Sequence, residues 1–162
     1  MLKSVSPLDG RYHQTTAALS EYFSEYALIK YRVIIEVKYL KALAQLPLPQ
    51  LKDVGNTFFT SLDEIISKFS VNDAENIKNI EKTTNHDVKA VEYLIKGKLE
   101  SAGFGRLKEF VHFGLTSQDI NNTAFPMMIK SAMEDIMQPA LHEVLEQIKD
   151  KAREYHGIPL LA

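Results

Sequence analysis

The stretch Thr83–Tyr93 reads TTNHDVKAVEY and sets Asn85, His86 and Asp87 side by side. An imidazole can donate to an anion or move a proton near neutral pH. Asn and Asp compete with the backbone for hydrogen bonds, so they favour the start of a helix over its middle. From Val88 onward, Val88, Val91, Leu94 and Ile95 recur at the spacing of one helical face. His86 is therefore predicted at a helix N-terminus, where free N–H groups and the helix dipole attract anions. The stretch FVHFGLTSQDINN (110–122) repeats this design. Thr116 precedes Asp119 at capping-box spacing, and Thr116 and Ser117 offer two hydroxyls at a helix start, a cradle for a carboxylate. A third corner, SPLDGRY (6–12), is a turn followed by Arg11, whose planar fork suits phosphate or carboxylate. Each corner taken singly also has a structural reading: a solvated helix cap, an N-cap, an exposed arginine in a terminal turn. Together, in a helical chain, they point to a site for a small, multiply charged anion.

The other reactive residues carry less. His112 lies in an apolar run with Phe110, Val111 and Phe113 and reads as a core residue, while His13, His142 and His156 read as surface positions. No His, Asp or Glu pair has metal-ligand spacing, and no glycine-rich phosphate loop is present. Met127, Met128, Met133 and Met137 read as core filling.

The elements that must hold these corners all read as helices. Pro7, Asp9 and Gly10 mark a turn in an irregular start. From about Thr16 to Leu46 a long helical pattern is apolar on two faces, as in a buried helix or one shared with another subunit, and Pro47 and Pro49 end it. Residues 50–69 read as a helix with Leu51, Val54, Phe58, Leu62, Ile65, Ile66 and Phe69 on one face. A break at 70–73 precedes a short helix to about 82, and a further helix covers 87–100. Gly103 and Gly105 mark a loop, near which the composition suggests a domain boundary: 1–109 as an N-terminal helical domain, 110–162 as the start of a central helical bundle. Residues 116–155 form the longest helical pattern, which would span roughly 60 Å if unbroken; Pro126 and Pro139 are expected to kink or divide it. With no strand period and no repeat, the fold class is all-α and bundle-like, and a helix of that length needs neighbours, which predicts an oligomer.

Composition sets outer limits. The chain has 162 residues, enough for a sizeable core, and its 45% apolar and 25% charged content is that of a soluble globular protein. A formal net charge of −2 without a basic block argues against a nucleic-acid surface. The absence of cysteine fits a reducing compartment. The start MLKSVSPLDGRY lacks a signal-peptide core, and no run long enough to span a membrane occurs.

SPLDGRY, EKTTNHDVKAVEY and EFVHFGLTSQDINN, in this order and spacing, resemble the N-terminal part of bacterial-type adenylosuccinate lyases, within the fumarase/aspartase superfamily. The resemblance covers essentially the whole chain; TTNHDVKAVEY carries most of it, while TSQDINN points to the superfamily. It implies cleavage of adenylosuccinate to AMP and fumarate, and of succinyl-aminoimidazole-carboxamide ribotide to its amide and fumarate, with no metal or organic cofactor. It implies a cytoplasmic helical homotetramer whose sites draw on three subunits. By motif, Arg11 and Tyr12 would bind the phosphate end. Asn85, His86 and Asp87 would line the substrate, with His86 near the phosphate and assisting proton transfer. Thr116 and Ser117 would hold a succinyl carboxylate. Family members continue into an Arg-Thr-His-Gly segment with a catalytic His and, later, a loop with a catalytic Ser. On that reading the sequence is an N-terminal piece with half a site and no activity alone. Pro126 departs from the expected uninterrupted helix. The alternatives are another fumarate-releasing lyase, such as argininosuccinate lyase or aspartase, and a non-catalytic helical interaction module.

Overall fold

A computed structural model of the chain describes residues 3–52 and 54–159. Met1, Leu2 and Asp53 lie outside the described residues, as do Leu160, Leu161 and Ala162, part of the segment at which the sequence reading places the family's continuation. Among the described residues there is no strand, and the architecture is all-α as expected. The chain divides into two compact units: Phe23–Met128, and a second built from the segments up to Tyr22 and from Ile129 on.

In the Phe23–Met128 unit, α1 spans Glu25–Ala44. The expected start near Thr16 is replaced by short helical turns at His13–Thr16, Ala17–Leu19 and Ser20–Phe23. The break has a physical cause: Ser24 is extended (φ −78°, ψ 166°) and its hydroxyl accepts the Ala27 N–H at 3.1 Å, so a fresh helix is capped there. α1 ends before Pro47, as the sequence predicts. Helix α2 covers Asn56–Ser67, later than the expected position 50, because Pro49–Leu51 forms a 3-10 turn and Gly55 is extended. Helix α3 covers Val71–Thr84, opened by a complete capping box between Ser70 and Asp73, and α4 covers Asp87–Ser101. Helix α5, Ser117–Ala132, passes through Pro126 without losing its helical assignment.

The main core of this unit gathers Val33, Val37 and Leu40 of α1, Phe58 and Leu62 of α2, Ile77 of α3, and Val91 and Ile95 of α4. Phe58 meets Phe104 edge-on, ring centroids 5.2 Å apart. A smaller cluster unites Tyr31 and Ile35 of α1, Val88 of α4, and Ile120, Ala124 and Met128 of α5. So α1 is buried on two faces, and the second face is what places the starts of α4 and α5 next to each other.

In the other unit, a π-helical turn at Met133–Met137 precedes helix α6, Gln138–Tyr155. The turn accounts for how Pro139 is tolerated. Proline lacks an N–H and its ring presses on the carbonyl four residues back, and a wider turn relieves both constraints. Tyr22 donates to Asp135 at 3.0 Å. Leu141, Val144, Leu145 and Ile148 of α6 stand exposed.

Phe58 is fully buried, whereas Ser70 is exposed and acts through its cap. Phe58→Ala is expected to cost about 3–5 kcal/mol and Ser70→Ala about 1 kcal/mol. Urea unfolding checks both, and equal losses would contradict the packing described.

Candidate functional site

Asn85 ends α3 in the left-handed conformation (φ 51°), which Asn tolerates better than most residues, and the chain turns directly into α4. His86 is the N-cap of α4 (φ −149°, ψ 112°), and its Nδ1 accepts the Lys89 N–H at 3.1 Å. That bond assigns the tautomer: the neutral ring carries its proton on Nε2. Nε2 lies 3.4 Å from Ser117 Oγ, a long contact across two motifs 31 positions apart in sequence. The start of α5 is built by Asp119, whose Oδ2 accepts from the Thr116 N–H at 2.7 Å and the Thr116 hydroxyl at 2.9 Å. These bonds hold the Asp119 carboxyl below its ordinary value. Thr116 thus gives its hydroxyl proton to the cap, while Ser117 Oγ faces His86. The His86 side chain is 50% exposed, so the corner is open to solvent.

A polar strip on α1 fixes this corner. Arg32, 5% exposed, places its Nη2 2.7 Å from Asp87 Oδ2 and donates through Nε to Asn121 Oδ1 at 2.9 Å. One guanidinium therefore ties the first residue of α4 to the first turns of α5. Burial pushes the Asp87 carboxyl up, but the Val88 N–H and Arg32 outweigh it and hold it below the usual carboxylate range. One turn on, Glu36 is wholly buried, with Oε1 2.5 Å from His112 Nδ1. Burial raises the Glu36 carboxyl, and the contacts with His112 only partly oppose this. A further turn on, Tyr39 donates to the Phe113 carbonyl at 2.8 Å. The segment it grips turns sharply, with positive φ at His112 (61°) and Gly114 (72°).

The sequence reading missed these supports. In sequence Arg32 and Glu36 sit inside an apolar helical pattern, yet charged residues within ALIKYRVIIEVKYL are a signal, since such residues are buried only when paired. His112, read as core, is a half-buried turn residue whose Nδ1 is hydrogen-bonded to Glu36. Arg11 and Tyr12 belong to the other unit. There Ser6 donates to Asp9 at 3.0 Å, Gly10 is buried, and the exposed Arg11 guanidinium sits 5.5 Å from the centroid of the Tyr12 ring. Among the described residues, no group of three or more His, Cys, Asp or Glu could hold a metal ion, and no helix is long and apolar enough to cross a membrane.

Arg32→Met keeps the buried stem and removes the bridge. The expected loss is about 1–2 kcal/mol at pH 7, tempered because Asp87 is partly solvated. A depressed folded-state carboxyl stabilises above its unfolded value of about 3.9 and loses that contribution as pH falls. Wild type should therefore lose its advantage over Arg32→Met as pH drops below about 4. Urea midpoints from pH 7 to pH 3 test this, and a constant gap would contradict it.

Comparison with known proteins identifies the family. A family model described as "Lyase" matches residues 10–162. The adenylosuccinate lyase of Dictyostelium discoideum is 48% identical over 99% of this chain and 36% of its own length. Those of Vibrio cholerae and Escherichia coli K12 are each 44% identical, with the same coverage of both chains. The chain thus spans about a third of the length of the curated relatives it matches. With nearly all of its residues inside the matched region, the chain belongs to the lyase family.

Proposed function

We propose that the protein carrying this chain is a fumarate-releasing C–N lyase that acts on adenylosuccinate, giving AMP, and on succinyl-aminoimidazole-carboxamide ribotide, and that this chain supplies part of the substrate site. The observation that carries the reading is the 3.4 Å approach of His86 Nε2 to Ser117 Oγ, which joins two separate motifs at the mouths of two helices. The name of these relatives, adenylosuccinate lyase, supports the substrate.

In such a β-elimination a base takes the proton from the carbon next to a carboxylate. That electron pair becomes the new C=C bond, and the C–N bond breaks toward nitrogen, which is protonated. Negative charge builds on the carboxylate before the C–N bond has fully broken, so fixed donors lower the barrier. Ser117 and the first N–H groups of α5 serve as such donors, with Thr116 holding the helix start in place. His86 offers Nε2–H to the substrate phosphate and assists proton transfer, while Asn85 lines the substrate. Asp87 lines it with its charge matched by Arg32, so it does not repel an anion. Arg11 and Tyr12 hold the phosphate end. No step in this scheme calls for a metal or organic cofactor.

The reading extends to a cytoplasmic homotetramer whose sites draw on several subunits, with residues 1–109 as one domain and 110–162 opening a helical bundle. The exposed stripe of Leu141, Val144, Leu145 and Ile148 supports association.

In the whole protein, Ser117→Ala and His86→Ala are each expected to lower kcat/KM by about 10²-fold or more, and Arg11→Ala to weaken AMP binding in calorimetry. Ultraviolet absorbance follows adenylosuccinate cleavage. Values within threefold of wild type for both site variants would overturn the reading. The 162-residue chain alone is expected to show no turnover.

A further inference from the structure

Two departures from ordinary structure meet at one contact. Glu36 carries a carboxyl group with 0% exposure whose Oε2 has no hydrogen-bond partner. His112 is a non-glycine residue at φ 61°. A buried acidic group with an unpartnered oxygen and left-handed backbone are both costly, and they persist where surrounding structure or function demands them. Holding the backbone turn does not account for Glu36, because Tyr39 already grips the Phe113 carbonyl from the same face of α1. Filling the core does not account for it either, since leucine would fill that space without burying a polar group. What Glu36 alone controls is the imidazole edge that carries Nδ1, 2.5 Å away.

We propose that Glu36 is a positioning residue: its carboxylate accepts the Nδ1 proton of His112, fixing the ring and leaving the Nε2 lone pair unprotonated. The consequence is a division of labour between two imidazoles. His86, whose Nδ1 accepts a backbone N–H, presents a donor at Nε2. His112, held from the opposite sense, presents an acceptor. The chain thus sets a donor at the N-cap of α4 and an acceptor in the turn that precedes α5, where the Leu115 N–H donates to the His112 carbonyl at 3.2 Å. Glu36, four residues from Arg32, completes a strip on α1 in which each polar side chain orients one part of the site. The significance for catalysis rests on the proposed lyase function; the tautomer assignment does not.

The test is solid-state 15N spectroscopy of histidine-labelled whole protein at pH 8, with the His112 signals assigned by His112→Gln. Wild type is expected to show a protonated Nδ1 and a bare Nε2 at His112. Glu36→Gln, whose amide oxygen still accepts, should keep that pattern and hold kcat/KM within about threefold. Glu36→Leu should shift His112 to the Nε2-protonated form and lower kcat/KM at least tenfold while circular dichroism stays unchanged. If the Leu variant does not fold, Glu36→Asp, which withdraws the acceptor while keeping the charge, takes its place with the same expectation. A bare Nδ1 in wild type, an unchanged His112 spectrum in the Leu or Asp variant, or a Gln variant as impaired as these would overturn the proposal. A wild-type protein without turnover would count against the lyase reading, while the nitrogen spectra would still decide the role of Glu36.

Discussion

The bridge made by Arg32 is the constraint on which the rest of the site depends. A guanidinium with 5% exposure is stable only with its charge matched and its donors used, and Asp87 and Asn121 meet both needs. Because these partners sit at the starts of two different helices, satisfying one buried cation also fixes where the helices begin relative to each other. His86 and Ser117 are then neighbours by consequence. Neither makes a contact strong enough to enforce that proximity alone, since 3.4 Å is at the outer limit of a hydrogen bond.

The strip of Arg32, Glu36 and Tyr39 runs down a helix that is otherwise apolar on nearly every side. That arrangement costs stability locally and contributes definition. An all-apolar α1 would pack at least as well, yet would leave the turn at His112–Gly114 and the cap of α4 free to settle in other ways. The open corner itself is populated by groups committed in only one direction. Thr116 has given its proton to Asp119, Asp87 its charge to Arg32, and His86 its Nδ1 lone pair to Lys89. What remains available is chiefly donor capacity: Nε2–H of His86, the hydroxyl of Ser117 and the helix N-terminus. A surface rich in fixed donors beside a neutralised acid is suited to an anion.

Much of this was legible in the sequence wherever local chemistry decides local structure. The Asn85-His86-Asp87 cap, the end of α1 before Pro47 and the helix following Thr116 all follow from which residues can satisfy free N–H groups or cannot continue a helix. The start of α1 was misplaced because Tyr22, Phe23 and Tyr26 keep the helical period across Ser24, and periodicity does not register a cap inside a continuous apolar pattern. Pro126 and Pro139 look alike in sequence, but only a π-helical turn, which has no sequence signature of its own, accompanies the second. The pairings of Arg32 with Asp87 and of Glu36 with His112 join positions far apart in the chain. They depend on tertiary packing that no single-segment pattern encodes, and for that reason His112 reads as core in the sequence.

Anion binding at the paired helix starts can be observed directly. The most direct measurement is a crystal structure of the whole protein with AMP and fumarate bound. The expected result is a carboxylate oxygen within hydrogen-bond distance of Ser117 Oγ and ligand density against His86 Nε2. Ordered ligand elsewhere, with the His86–Ser117 corner filled only by water, would contradict it.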